Sequence, residues 1–344
     1  MSKTDELAVA VIGLGFGANH ARVLSKLENV RLAAVCDTDS QRLADIAKHD
    51  KLATYVDYRL MLEREQLDAV VVAVPAHLHL PVGLAVIEAG CPLLVEKPLA
   101  PTLADARTVV EAATKANVSL MPGHIERFNP AVRELARRVC AEEIGAVSHL
   151  SARRMGPIVM RTQDVNVIHD TALHDIDSMR YVLGSDVTRV FAEAQSGLLQ
   201  PFEDSLSATL RFDSSSEKAG AIGSLEVNWL SPLAIRDLMV LGEAGLFQLI
   251  YAAQSLKLYR PKASAHDRPP ARGWVAPSSS TDHGEVIAIE PREPLREELM
   301  AFIQALRDGT AMPVSGQDAL AAVAVADALT ESARSNRPVE PARV

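Results

Sequence analysis

An α/β chain in two parts is predicted: a doubly wound parallel sheet, then an α+β part containing an open, mostly antiparallel sheet. Three observations predict it. Short apolar runs alternate with amphipathic stretches through the first 124 residues; beyond them the strand-like segments lengthen and alternate in polarity; and two helical patterns close the chain. At 344 residues the chain is too long for one ordinary core, so two domains are expected, 1–124 and 125–344.

Taken in order, 8–14, 31–36, 68–75, 92–96 and 118–121 read as buried strands rich in Val, Leu and Ile, with helices over 18–27, 40–49, 80–89 and 102–117 between them. Alternation at this spacing means right-handed crossovers and a sheet covered on both faces. Ligands of such sheets bind beyond the carboxyl ends of the strands. Those ends carry Gly13, Asp37, Pro75, Lys97 and Gly123, which predicts one cleft lined by all five. After a helix at 129–141, the stretches 147–155, 188–194, 205–212, 221–229 and 236–242 read as antiparallel strands, interrupted by a helix at 170–183. Residues 262–284 are rich in Pro, Ser and Gly and are expected to form a long mobile loop, followed by helices at 294–307 and 317–336.

Composition excludes several classes. A net charge of -9 with both signs spread along the chain leaves no basic face for nucleic acid. Cys36, Cys91 and Cys140 have no metal-like spacing and read as small buried hydrophobes. The start lacks the basic flank and cleavage site of a signal peptide, and no apolar run reaches membrane-span length, so a cytoplasmic protein is expected. A broad open sheet face invites self-association, and a homodimer or homotetramer is expected.

Three motifs carry chemistry. The first is Gly13-Leu14-Gly15-Phe16-Gly17-Ala18, which follows a strand and opens a helix. Gly13 permits a tight turn, Gly15 lets backbone approach a pyrophosphate, and Ala18 stands where only a small residue fits between helix and strand; the phosphates then meet free N–H groups at the helix N-terminus. Asp37 follows 22 residues after Gly15, placed to accept hydrogen bonds from the adenosine ribose. This is the Rossmann dinucleotide pattern. Asp37 repels a 2′-phosphate, favouring NAD over NADP, while Arg42 keeps the alternative open. The second motif is Glu96-Lys97-Pro98 at a strand end, where Lys97 points into the cleft and Pro98 restricts the backbone before it. The third is Asp170-x-x-x-His174, one face of a helix: a histidine able to take a proton near neutral pH, and a carboxylate to orient it or the substrate. Asp175 and Asp177 point elsewhere and read as structural or solvated. His77 and His79 follow Val74-Pro75 without a metal spacing and read as cleft-wall or capping residues; hydride transfer needs no metal, and none is expected.

Together these motifs resemble the glucose–fructose oxidoreductase / inositol dehydrogenase / rhizopine-catabolism (Gfo/Idh/MocA) family over nearly the whole chain. The resemblance implies that Lys97 and His174, with Asp170, flank the nicotinamide and the substrate carbon. It also implies a cofactor set of Gly13, Gly15, Phe16, Gly17, Asp37, Arg42, Val74, Pro75, His79, Glu96 and Lys97. The stretches 123–130, 151–157, Arg161 and 164–166 are similar to UDP-N-acetylglucosamine 3-dehydrogenases. That implies a UDP-sugar oxidised at C3 to a 3-keto group, which a partner aminotransferase then aminates, toward lipid A or a cell-surface glycan. Substrate contacts expected on this reading are Lys97, His124, Arg127, Asn129, Arg153, Arg154, Arg161, Asp170 and His174. Arginines suit a pyrophosphate, although Arg153 and Arg154, adjacent on a strand, cannot both enter one site. Either Lys97 or His174 can be the proton acceptor. Two other readings stay open: dehydrogenation of a free sugar or inositol, and a non-catalytic NAD-sensing regulator of the same fold.

Overall fold

A computed structural model describes residues 6–47, 52–157, 165–197, 202–213, 220–260 and 284–344. Residues 262–283 of the expected loop, together with Arg161 and Asp164, lie outside the described residues. The first sheet is built from β1 (Leu7–Ile12), β2 (Val30–Cys36), β3 (Ala53–Tyr55), β4 (Ala69–Val72), β5 (Leu93–Glu96) and β6 (Leu120–Gly123). All pair in parallel, in the order β3-β2-β1-β4-β5-β6. Helices α1 (Gly17–Leu24), α2 (Ser40–Ala47), α3 (Tyr58–Arg64), α4 (His79–Glu88) and α5 (Leu103–Ala116) make the crossovers. Along β1, Val9 and Val11 enter one core while Ala10 and Ile12 enter the other. Burial on both faces is why this strand is an unbroken apolar run. The order in which strands are added reverses between β1 and β4, and the crevice there is where such sheets hold ligands.

Two elements of this sheet escape the sequence pattern. β3 has three residues, and α3 is a short polar stretch, YRLMLER, with Met61 its one buried side chain. Its N-cap Asp57 accepts the Arg59 N–H, a local signal worth about 1 kcal/mol.

Beyond α6 (Pro130–Cys140) the chain builds the second sheet from β7 (Val147–Met155), β8 (Val187–Ser196), β9 (Glu203–Phe212), β10 (Ile222–Asn228), β11 (Ile235–Gly242), β12 (Gly245–Ile250), β13 (Ser255–Tyr259) and β14 (Glu285–Ile287). Its order is β14-β13-β12-β11-β7-β10-β9-β8, antiparallel except for β10 with β7. The sequence pattern marks five of these strands; β12 to β14 extend the same sheet. One face is covered by α6, α7 (Leu173–Leu183) and α9 (Gly316–Ser335). On β7, Leu150, Ala152 and Arg154 point into that layer, and His149, Ser151 and Arg153 point to the open face. α8 (Pro294–Asp308) returns to the first sheet, where Leu295, Leu299, Phe302 and Ile303 join the core of Val9, Val11 and Leu24.

The cysteines correct one expectation: Cys36 is buried, Cys91 half-buried, and Cys140, at the end of α6, exposed. Burial, with the charges of Asp37 and Asp57, pushes the Cys36 thiol up to about 12. No helix among the described residues is long and apolar enough to cross a membrane.

Candidate active site

The glycine turn lies between the ends of β1 and β4. Gly13 has φ +89°, and a Cβ on it would come within 2.7 Å of the Ala73 carbonyl oxygen. That double constraint admits only glycine. The tight helix–strand packing falls at Gly17, where a Cβ would meet Val11 at 3.0 Å and Ala73 at 3.1 Å. Ala18 is exposed, which corrects the expectation that it fills this contact. The reason is helical geometry: α1 begins at Gly17 and turns Gly17, His20, Ala21 and Leu24 inward.

Asp37 closes the turn from the end of β2. Its Oδ2 accepts the Leu14 N–H at 2.6 Å and its Oδ1 the Asp39 N–H at 2.8 Å. Arg42 reaches the same carboxylate at 3.5 Å and that of Asp39 at 3.4 Å, so its charge is shared between two acids. The residues fit NAD. Gly15 is open, the first turn of α1 holds no acidic side chain, and the buried Asp37 keeps lone pairs for ribose hydroxyls.

At the end of β5, Glu96 accepts from the Lys97 N–H at 3.1 Å and pairs with His20 Nε2 at 2.8 Å. Burial opposes its ionisation, but His20 and Lys97 outweigh that and leave its pKa lowered. The fully buried Glu298 of α8, with neither carboxylate oxygen hydrogen-bonded, is pushed the other way by burial and by Glu96. Neither His20 nor Glu298 was among the expected site residues, although a histidine on the buried face of α1 is the signal that could have found the first. His79 joins Val74 and the segment after Lys97, with Nδ1 2.6 Å from the Pro98 carbonyl and Nε2 2.9 Å from the Val74 carbonyl. Its ring is buried between two backbone segments, which makes it a brace of the cleft wall rather than an open cofactor contact. His77, Pro75 and Phe16 are exposed there, the last packed edge-on to His20 at 5.5 Å.

Lys97 crosses from the first sheet to the second domain. Its Nζ donates to Asp170 Oδ1 at 2.6 Å and to the Asp170 carbonyl at 2.8 Å. Asp170 belongs to a π-turn, Ile168–Ala172, that precedes α7, so the helix starts two residues before the expected Asp170. Asp170, expected to orient His174 or the substrate, has its carboxylate on the Lys97 ammonium. His174 is partly open to solvent, while its Nδ1 is buried without a hydrogen-bond partner. Burial, then the charges of Lys97, Arg154, His124 and Arg236, hold its pKa well below the usual histidine range. The imidazole is therefore neutral and able to accept a proton at neutral pH.

Several expected substrate contacts are used by the protein itself. Arg127 is buried in a bidentate pair with Asp177, at 2.7 and 2.9 Å, and also donates to Asp318 at 3.0 Å. Arg154 is buried between Asp175 at 2.7 Å and Glu126 at 3.0 Å, its guanidinium 4.7 Å above the Tyr251 ring. Arg153 pairs with Asp237 on the open face of the sheet, away from Arg154. Asn129 caps α6, accepting the Ala131 N–H and donating to the Tyr251 carbonyl, with Pro130 at the first helical position. His124 is buried 3.7 Å from Asp177, and burial lowers its pKa. Arg127, Arg154 and Asn129 are thus buried donors matched with internal acceptors, as desolvation requires, whereas His124 Nδ1 is buried without a hydrogen-bond partner. These placements withdraw Arg127, Arg153, Arg154 and Asn129 from the substrate set. Asp175 and Asp177 are structural, each buried against an arginine.

The two depressed histidines have a stability consequence. In the unfolded chain both titrate near pH 6.5; in the folded chain they bind a proton only at lower pH. The unfolded state then takes up more protons as pH falls, so their contribution is complete above about pH 6.5 and declines below it, toward the folded pKa. Tm measured from pH 7.5 to 5.5 should fall, with a shallower slope in His124→Asn; equal slopes in the two proteins would contradict this.

Comparison with known proteins shows the family of the chain. The profile of an oxidoreductase family with an NAD-binding Rossmann fold matches residues 7–124, and that of the GFO/IDH/MocA C-terminal domain matches residues 132–248. An inositol 2-dehydrogenase from Saccharopolyspora erythraea is 32% identical over 346 residues, covering 96% of this chain and 95% of that protein. A UDP-N-acetylglucosamine 3-dehydrogenase from Acidithiobacillus ferrooxidans is 29% identical over 187 residues, 54% of this chain and 57% of that protein. Its solved structure shares the fold with a TM-score of 0.80, at 21% identity over 96% of this chain and 98% of that one. Levoglucosan dehydrogenase, solved with NADH and levoglucosan, has a TM-score of 0.82 at 21% identity, covering 98% of this chain and 100% of that one.

Proposed function

From the premise that the chain belongs to the Gfo/Idh/MocA family, as an NAD-dependent dehydrogenase of CH–OH groups on sugars or polyols, we propose that it oxidises the C3 hydroxyl of a nucleotide sugar, UDP-N-acetylglucosamine, to the 3-keto sugar. The observation that carries the chemistry is the span of Lys97 across the cleft to Asp170, within electrostatic reach of a neutral His174. Bound NAD supplies the hydride acceptor. His174 takes the hydroxyl proton on its imidazole as the C3 hydride departs and the carbonyl forms. Lys97 has three ammonium protons, of which two are engaged by Asp170, leaving one to donate to the reacting oxygen. Asp170 thereby positions Lys97. The buried Glu96–His20 pair fixes the backbone that carries Lys97.

A nucleotide sugar is supported by Arg236, which acts on His174 and has no carboxylate partner among the described residues, in a chain of net charge -9. The 3-keto product suits a downstream aminotransferase, in the making of lipid A or another surface glycan. A second reading, a neutral polyol such as inositol, is favoured by inositol dehydrogenases that match over nearly all of the chain. NADH absorbance with UDP-N-acetylglucosamine or inositol as the sole alcohol separates them, with an aminotransferase added to remove ketone. NADH from the UDP-sugar alone is expected. NADH from inositol alone selects the polyol, and NADH from neither sugar nor polyol overturns both.

A further inference from the structure

We propose that Arg236 is a substrate-recognition residue that binds the phosphate oxygens of the nucleotide sugar at the mouth of the cleft, beyond His174. The inference rests on the nucleotide-sugar reading and gives it a site.

Register places Arg236. It pairs across the ladder with Arg154, and on β11 it alternates with Leu238 and Val240, which are fully buried in the helix-covered layer. Arg236 therefore stands on the cleft face of the sheet, whereas its neighbour Asp237 turns to the open face and pairs with Arg153. Two guanidinium groups opposite each other on adjacent strands repel. Arg154 is neutralised by Asp175 and Glu126, but Arg236 is exposed and its side chain makes no ion pair or hydrogen bond among the described residues. Among the described residues the cleft rim thus keeps Arg236 as an uncompensated cation, next to an arginine that is already matched.

The connection before β11 fixes where this cation faces. Trp229 donates its Nε1–H to Thr171 at 2.8 Å, and the Thr171 hydroxyl donates to Asp170 at 3.3 Å. The loop leading to Arg236 is tied to the residue that holds Lys97. Arg236 also acts on His174 electrostatically, which puts it on the same side of the cleft as the proton acceptor. A planar guanidinium with all five donors free suits a phosphate in bidentate geometry. It offers little to a neutral polyol. Sequence reasoning missed it because Arg153 and Arg154 occupy the more conspicuous position; the signal was an arginine in phase with the buried residues of a strand.

The test compares wild type with Arg236→Ala and Arg236→Lys. For UDP-N-acetylglucosamine, Arg236→Ala should raise KM by about 10- to 100-fold, the loss of one charged hydrogen-bonding partner. Arg236→Lys should recover part of this, and UDP alone, titrated calorimetrically into the NAD-bound protein, should bind at least about tenfold more weakly to Arg236→Ala. KM in wild type should also rise with salt, and less so in the variant. Wild-type turnover of the UDP-sugar with an unchanged KM in Arg236→Ala overturns the inference and leaves the nucleotide-sugar reading standing. The inference falls equally if only the pH profile moves, since Arg236 would then act solely on His174. Wild-type turnover of inositol but not of UDP-sugars overturns both.

Discussion

Lys97→Ala is expected to lower kcat by about 10²- to 10⁴-fold, and His174→Ala by a similar factor, with NAD still bound by both variants. On the proposed mechanism the two side chains act on one oxygen from opposite sides of the cleft. Lys97 is held by Asp170 at 2.6 Å with one donor remaining, and His174 is kept neutral by burial and by the cations around it. Removing the lysine leaves the developing carbonyl without its donor; removing the histidine leaves the hydroxyl proton without an acceptor. Because protonated His174 cannot accept, kcat/KM of the wild type should hold through the ordinary histidine range and fall only at lower pH. This acid limb should disappear in His174→Ala. Retention of near-normal turnover by both variants, with saturating NAD, would end the assignment. Asp170→Asn tests the positioning: its deficit should be smaller than that of Lys97→Ala, because the backbone carbonyl of residue 170 still holds the ammonium.

Arg127→Ala should cost about 3–5 kcal/mol of stability, the effect of breaking a buried ion pair on one side. Arg127 joins the turn after β6 to α7 through Asp177 and to α9 through Asp318, so its loss leaves the nearly inaccessible Asp177 carboxylate without its cation. Burial resists the guanidinium charge, but the two aspartates more than offset this and raise its pKa; burial likewise resists the Asp318 charge, but Arg127 and the hydrogen bonds from Ser315 outweigh it and hold Asp318 down to about 2. Denaturant unfolding of Arg127→Ala and of the double variant Arg127→Ala/Asp177→Ala makes the measurement. The double variant should be less destabilised than the sum of the singles, since it removes both charges. Unchanged stability with a raised KM for substrate would return Arg127 to the cleft.

How much was legible in the sequence follows from the range of each interaction. The glycine turn, Asp37 at the end of β2, Lys97 at the end of β5 and the Asp170–His174 pair are all set by a residue's place in its own strand or helix. Parallel strands buried on both faces leave continuous apolar runs, so their carboxyl ends can be counted along the chain. β3 and α3 were missed for the opposite reason: they are short and add little periodicity of their own. Asn129 is instructive, because Asn before Pro at a helix start is a local capping signal, and it outranks the substrate role expected of it.

By itself the sequence determined the parallel sheet, the nucleotide turn and which strand ends carry the reactive side chains, since all of these are written in periodicity and local spacing. Only the tertiary structure decided which arginines are free. Arg127 meets Asp177 and Asp318 from 50 and 191 residues away, Arg154 meets Asp175 and Glu126 from 21 and 28, and Arg153 meets Asp237 from 84. A buried guanidinium must find a carboxylate to offset its lost hydration, and which one it finds depends on distance through space. Among the described residues, that selection left the Arg236 side chain unpaired, acting on a neutral histidine.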